Sequence, residues 1–401
     1  MEDQALGKEH NKFRDYARNW LDKNRPPPPP VRLPISALEI MTEAQRDYLQ
    51  DWQGKCYEAG LIGCDYPTDY GGGGHDGFQH IANREAARAN VPFWFNIVGL
   101  GMAAPTILVH GTEEQKRKFI PGALSGAEIW CQGFSEPEAG SDMANQRTMA
   151  VRDGDQWVVN GHKVWTSLGH FAKWMILIAR TSSDHKYEGL SYFLCPIDGH
   201  PGVTVRPLVK MTGESGFNEV FFDDSPVPHE NMLGGEGNGW AVAMTTLSSE
   251  RGASEGAGGG DTNPRAAVAR LAELARDTLR DGRPVADDPV VCDAIVQHAI
   301  WAEGLVENAR RSRIPALNDH PMRLALQSKV TGSEFRQSVA RLGVEIAGPM
   351  STLYKNDPNA PDKGHWPMAY MGSYGSTIAA GANEIQRNIL GERVLGLPKT
   401  K

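Results

Sequence analysis

The spacing of apolar residues changes period twice along the chain. Near the start it is helical: Phe13, Tyr16, Ala17, Trp20 and Leu21 share one face of a predicted helix over 11–24. Arg25 and the run Pro26–Pro30 stop that helix and extend the backbone. Such a run can be a ligand for a recognition domain, but a stiff spacer is the preferred reading. A second helix is predicted from Thr42, a good N-cap, to Ala59, ended by Gly60–Gly63. Gly71–Gly74 reads as a flexible turn, because no Lys-Ser or Lys-Thr follows to make it a phosphate loop. Residues 77–125 read as three helical segments with breaks near Pro92 and Gly111, the last opened by the capping-box pattern Thr112–Gln115.

From Ile129 to about Pro228 the period becomes two. Candidate strands are 129–135, 148–152, 156–160, 174–181, 190–197, 203–206 and 219–222, with turns such as Asp153-Gly154-Asp155. After Gly239 the helical period returns, with long helices expected at 240–275, 288–312, 322–347 and 376–394. The expected architecture is therefore α+β in three domains: an all-α domain over 1–127, a β-barrel or sandwich domain over 128–238, and a helical bundle over 239–401. An α, then β, then α order argues against a Rossmann sheet.

Composition adds exclusions. The chain has 401 residues, 40% apolar and 22% charged, with a net charge of −8, a balance that argues against nucleic-acid binding. No apolar run approaches the roughly 18 residues of a membrane helix. The polar start MEDQALGKEH does not read as a signal peptide. Five scattered cysteines lack metal-ligand spacing, which points to reduced thiols, a cytoplasmic location and no metal.

The stretch Trp130–Ser167 carries the candidate chemistry. It reads WCQGFSEPEAGSD, a short polar hairpin, then VVNGHKVWTSLG. A flat aromatic (Trp165), two hydroxyls (Thr166 and Ser167) and a loop rich in free backbone N–H groups suit a flat, polar, phosphate-bearing cofactor. An ordinary β-hairpin with a tight turn is the plain alternative.

Four segments carry a resemblance: SEPEAGSD at 135–142, NGHKVWTS at 160–167, GEGNGWAVAM at 235–244 and GANEIQRNILGER at 381–393. In order and spacing they resemble the acyl-CoA dehydrogenase family over nearly the whole chain. The resemblance implies that fold, with a C-terminal four-helix bundle, and the FAD-dependent conversion of an acyl-CoA thioester to a trans-2-enoyl-CoA. Electrons would pass to an electron-transfer flavoprotein. It implies cofactor contacts from Gln132, Phe134, Ser135, Gly140, Ser141, Trp165 and Ser167, with Ser141 also near the substrate's pantetheine arm.

One departure concerns the catalytic base. The family's usual glutamate position before the last-helix glycine is Ala380 here, and alanine takes no proton. A minority arrangement places the base on the helix after the β domain. There the chain has Thr246-Leu247-Ser248-Ser249-Glu250-Arg251, so Glu250 is the expected base and Arg251 its orienter and substrate contact. Met244 and Leu247 are expected to face the core, with Glu250 continuing that stripe. The glycines at 252, 256 and 258–260 fit either ligand entry or a flexible joint.

In the family a neighbouring subunit contributes to the cofactor's adenosine end. Glu345 and Gly348 match part of that element, and Gly381 and Gln386 another. The family's Arg-x-x-Phe-Gly element is absent: Thr278–Gly282 keeps only the glycine, with Arg276 or Arg280 as possible substitutes. A homo- or hetero-oligomer, dimer or tetramer, is expected. The alternatives are a flavin monooxygenase on the same scaffold, or a non-catalytic partner subunit of a mixed assembly.

Overall fold

The computed structural model describes residues 7–34, 37–256, 263–312, 314–355 and 357–399, with side chains throughout except at 250–256. The chain divides into two compact lobes, residues up to 260 and from 261 onward.

The first lobe opens with helices α1 (Lys8–Lys23), α2 (Glu43–Glu58), α3 (Phe78–Ala89), α4 (Ala104–His110) and α5 (Glu113–Ser125). Both predicted N-caps form complete capping boxes, Thr42 with Gln45 and Thr112 with Gln115. The apolar face of α1 packs as its spacing requires: Phe13 stacks on Phe78 at 4.5 Å and Trp20 on Trp52 at 5.9 Å. The proline run is tied down where the Tyr48 hydroxyl donates to the Pro27 carbonyl at 2.7 Å.

One eight-stranded sheet follows. Its strands are β1 (Trp130–Gly133), β2 (Met149–Asp153), β3 (Gln156–Ser167), β4 (Trp174–Arg180), β5 (Leu190–Pro196), β6 (Val203–Leu208), β7 (Phe217–Pro228) and β8 (Met232–Leu233). Their order is β6-β7-β3-β2-β4-β5-β8, with β1 alongside β4. The hairpin expected between the two halves of Trp130–Ser167 forms, β2 pairing antiparallel with β3 around the Asp153-Gly154-Asp155 turn, but the two halves do not pair with each other as strands. β1 pairs in parallel with β4, Trp130 opposite Trp174, while β3 lies between β2 and β7.

β4 and β5 read as almost unbroken apolar runs because both of their faces are covered. Met175, Leu177, Phe193 and Cys195 pack with Trp157, Val159, Val220 and Phe222 from β3 and β7. Ile176, Ile178, Tyr192 and Leu194 pack with Ile107 and Phe119 from α4 and α5, and with Val242. Val242 belongs to α6 (Gly239–Gly256), which joins this lobe. The Thr246 hydroxyl lies 2.9 Å from that of Thr106 and 3.0 Å from that of Tyr192.

The second lobe holds α7 (Pro264–Asp277), a short ribbon of β9 (Leu279–Arg280) and β10 (Arg283–Pro284), then α8 (Pro289–Arg311), α9 (Arg323–Ala347), α10 (His365–Ile378) and α11 (Asn383–Ile389). Its core gathers Val268, Leu271, Phe335, Val339, Ile346 and Trp366. Two expected helices differ. The 240–275 stretch is two helices, α6 and α7, with residues 257–262 outside the described residues. The 376–394 stretch is broken: α10 ends at Ile378, and Ala380 (φ 53°) and Gly381 (φ 83°) turn left-handed before α11 begins. A left-handed alanine costs about 1–2 kcal/mol, so the surroundings impose this turn. Among the described residues no helix is long and apolar enough to cross a membrane.

Candidate active site

The two sequence segments singled out for cofactor binding meet although they are not paired strands. The Val164 N–H donates to the Ser135 carbonyl at 2.9 Å. Beneath that link lies Lys163, wholly buried, whose ammonium donates to Glu136 Oε1 (2.8 Å), Gln146 Oε1 (2.6 Å) and the Phe134 carbonyl (3.3 Å). Glu136 also accepts from the backbone N–H groups of Arg147 (2.7 Å) and Thr148 (3.0 Å). Burial pushes the Lys163 amine down to about 8 against the pull of Glu136. Burial pushes the Glu136 carboxyl up, but the Lys163 ammonium and the hydrogen bonds from Thr148 and Arg147 outweigh it, so the net shift is below the ordinary value. Both groups are therefore charged at neutral pH, and the pair clamps the 134–136 backbone to β3.

Immediately beyond the clamp the β3–β7 ladder skips. Lys163 faces Val220 and Thr166 faces Asn218, so Val164 and Trp165 together oppose Glu219 alone. This is a β-bulge, a device that re-aims a side chain. Trp165 adopts φ 62° and its ring stands 54% exposed, edge-on to Phe217 at 6.1 Å. Thr166 is wholly buried, and its Oγ1 has no hydrogen-bond partner among the described residues. Ser167 is buried next to it. Asn218 Nδ2 donates to the Thr166 carbonyl at 3.0 Å and holds the bulge in place.

The remaining expected residues of this lobe are spread along the same path. Gln132 is half-buried on β1, and Phe134 is buried edge-on to the Tyr192 ring at 5.9 Å. Ser135 is half-buried, and Gly140 and Ser141 are exposed at the loop tip, beside Asp142, which pairs with Lys186 at 2.8 Å. The structure thus brings Phe134, Ser135, Trp165 and Ser167 together, with Gly140 and Ser141 further along the loop.

The side chains of Glu250 and Arg251 lie outside the described residues. The helix that carries them is placed differently from expectation in one respect. Met244 is 37% exposed and shares its face with exposed Ser248, while the buried stripe of α6 is Val242, Ala243 and Thr246. Leu247 is partly buried against that cluster.

In the second lobe, Gln386 is buried and its Nε2 donates to the carbonyls of Ala380 (2.9 Å) and Gly381 (3.3 Å), leaving Oε1 without a partner among the described residues. A Cβ at Gly381 would meet that Nε2 at 2.3 Å. Glu345 is exposed, with its carboxylate on Arg341 at 2.8 Å, and Gly348 turns the chain at the end of α9 with φ 58°. Of the two candidate substitutes, Arg280 donates to the Glu345 carbonyl at 3.4 Å, and Arg276 is exposed on the last turn of α7.

Within the first lobe, an exposed aromatic face beside a buried hydroxyl that has no partner among the described residues is what a flat, polar ligand would cover and satisfy. The clamp Lys163–Glu136–Gln146 is not among the residues read from the sequence as functional. A signal for it exists: Lys163 keeps the same strand phase as buried Trp157 and Val159, so a period-two count turns it inward.

Comparison with known proteins places this geometry. Acyl-CoA dehydrogenase domain profiles match in sequence order: the N-terminal domain over 7–127, the middle domain over 131–225 and the C-terminal domain over 237–395. The chain is 37% identical over 403 residues to acyl-CoA dehydrogenase IpdE1 of Mycobacterium tuberculosis, covering 96% of this chain and 97% of that protein. Among solved structures it is similar to the ChsE4-ChsE5 complex of M. tuberculosis (TM-score 0.79, 29% identity, 99% of each chain). It is also similar to the Tcur3481-Tcur3483 steroid ACAD (TM-score 0.80, 26% identity, 99% of this chain and 100% of that one).

Proposed function

This chain belongs to the acyl-CoA dehydrogenase family of oxidoreductases, and from that premise we propose that it dehydrogenates the α,β bond of an acyl-CoA thioester, using FAD and passing electrons to an electron-transfer flavoprotein. The observation that carries the reading is the bulge in β3, which presents the Trp165 ring beside a Thr166 hydroxyl that has no partner among the described residues, and beside the clamped Ser135 backbone.

Bound FAD supplies the acceptor for a hydride from the substrate's β carbon. The chain's own residues then have distinct tasks. Trp165 covers a face of the ring system, and Ser135, Thr166 and Ser167 hydrogen-bond its polar edge. Gln132, Phe134, Gly140 and Ser141 line the rest of the path. Glu250 removes the α proton, with Arg251 orienting it and the pantetheine arm. Gly381, Gln386, Glu345 and Gly348 serve the dinucleotide's adenosine end. The acyl group is a steroid-derived acid, a reading supported by the likeness to a steroid ACAD and by the short side chains of Ala379 and Ala380 where the family's usual base would stand. Ala380 and the missing arginine element further support a mixed oligomer in which a related subunit completes the sites, acting in the cytoplasm.

Anaerobic addition of steroid-derived acyl-CoA thioesters to the holoprotein tests this reading. The flavin is expected to bleach, and Glu250→Gln is expected to keep the flavin while slowing single-turnover bleaching about 10²- to 10⁴-fold. Near-normal bleaching in that variant removes Glu250 from the reaction. Flavin reduced by NAD(P)H and reoxidised with substrate hydroxylation would favour the monooxygenase alternative.

A further inference from the structure

Trp165 and Leu168 both adopt left-handed backbone, with φ 62° and 59°, a conformation that residues with side chains avoid. Thr166 and Ser167 lie between them. Core packing gains nothing from this strain, because it leaves the Trp165 ring 54% exposed and the buried Thr166 Oγ1 without a partner among the described residues. Strain of this kind persists only where the surroundings impose it, and it gathers at ligand sites.

The groups that impose it converge on Asn218, wholly buried on β7 opposite Thr166. Its Nδ2 donates to the Thr166 carbonyl at 3.0 Å. The reversed amide would set Oδ1 against that carbonyl, two acceptors face to face, so one orientation is fixed. His170 braces the amide: its Nδ1 lies 3.0 Å from Nδ2 and 3.2 Å from Oδ1. Burial holds the His170 imidazole below its ordinary value, against hydrogen bonds to Asn218 and to the Ile40 backbone, so the ring is neutral at pH 7. Ile40 belongs to the segment after the proline run, and that segment also docks on the loop before β7. The Ser215 N–H donates to Met41 Sδ at 3.3 Å, Glu39 pairs with Lys210, and a Cβ on Gly216 would meet Glu39 Cα at 2.6 Å. Gly216 in turn accepts the Leu168 N–H at 3.2 Å. Both left-handed residues are thus held from the same side.

We propose that Asn218, braced by His170, is a positioning residue of the cofactor site: through the Thr166 carbonyl it fixes the strained turn that presents the Trp165 ring and the Thr166 and Ser167 hydroxyls to the bound flavin. This rests on the function proposed above and adds two residues to that same site. The Asn218 amide is committed to Thr166 and His170, so it acts through the turn and not on the ligand. Without it the turn relaxes away from left-handed backbone and withdraws the ring and hydroxyls, while the ladder before the bulge, Gly161 to Lys163 against Phe222 to Val220, stays as it is.

Flavin dissociation constants, read from the fluorescence of FAD released on dilution of the flavin-loaded protein, test this without any substrate. Asn218→Leu keeps the volume and removes the donor. It is expected to weaken FAD about tenfold, the worth of one hydrogen bond, and to shift the visible bands of the bound flavin. His170→Phe keeps a ring and removes the brace, and is expected to weaken FAD about threefold. In the double variant the two losses are expected to overlap and not add, because His170 acts through Asn218. Unchanged affinity and spectrum in Asn218→Leu, with only the thermal transition lowered, make Asn218 merely structural and overturn the proposal. Additive losses in the double variant overturn the part given to His170. Should Asn218→Leu fail to fold, His170→Phe, at a half-buried ring, decides by the same measurement, and unchanged affinity there overturns the proposal. If wild type binds FAD and thioesters bleach it while both variants hold FAD equally well, the positioning role falls and the dehydrogenase reading stands. If wild type binds no FAD, or no thioester bleaches it, the dehydrogenase reading itself fails.

Discussion

Lys163 and Glu136 join the site to the stability of the lobe. A buried ammonium is tolerable because three acceptors surround it, and the carboxylate because it accepts from Lys163 and two backbone N–H groups. Removing one partner leaves the other charge buried, at a typical cost of about 3–5 kcal/mol. The pH dependence has a definite sign. The folded carboxyl of Glu136 titrates below its ordinary value of 4.5, so the unfolded chain takes up that proton first as pH falls. Its stabilisation is complete above pH 4.5 and is lost as pH drops through the folded value. Glu136→Gln should therefore be less stable than wild type at pH 7 and show a flatter fall in urea midpoint below pH 4.5. Parallel acid limbs for the two proteins would mean that Glu136 is not a source of the acid sensitivity.

At the scale of elements, strands β3 and β7 illustrate one limit of pattern reading. Strand alternation marks where β3 runs, but the skip at Val164–Trp165 follows from pairing with β7, which begins at Phe217, far along the chain. Helix α10 illustrates another. Its sequence HWPMAYMGSYGSTI has little polar–apolar contrast, so no helical face stands out, and only packing against α9 reveals it. The contact is close: a Cβ at Gly343 of α9 would meet the buried Trp366 ring of α10 at 1.9 Å. Gly343→Ala should overpack this interface and destabilise the second lobe by about 1–3 kcal/mol. Thermal unfolding of the full chain would register that as a lowered transition, and an unchanged transition would show that α10 is not held there.

At the scale of the whole molecule, the proposed mixed oligomer needs apolar surface to bury. Helix α8 exposes Val290, Val296 and Ile300. Where the family carries Phe-Gly, this chain has a tight turn with Asp281 at φ 51° and Gly282 at φ 79°. A residue forced left-handed there cannot simply replace the aromatic ring, so the proposed mixed oligomer makes a measurable prediction. The chain purified alone should carry less than one FAD per protomer. Co-expression with a family subunit that has an intact Arg-x-x-Phe-Gly element should restore flavin and give a defined hetero-oligomer by light scattering. A fully flavinated homo-oligomer from the lone chain would refute this.

Local chemistry was enough to read much of this protein. The apolar face of α1, the capping boxes at Thr42 and Thr112 and the α-β-α order depend on neighbours within a few residues, and the chain's own residues determine them. Tertiary structure decided the rest, because it depends on partners far apart in sequence: the parallel pairing of β1 with β4, the bulge that turns Trp165 outward, and the burial of Lys163 on Glu136. Each of these sets a long-range contact against a local preference, and the energy of the packed lobe prevails over the preference of the isolated segment.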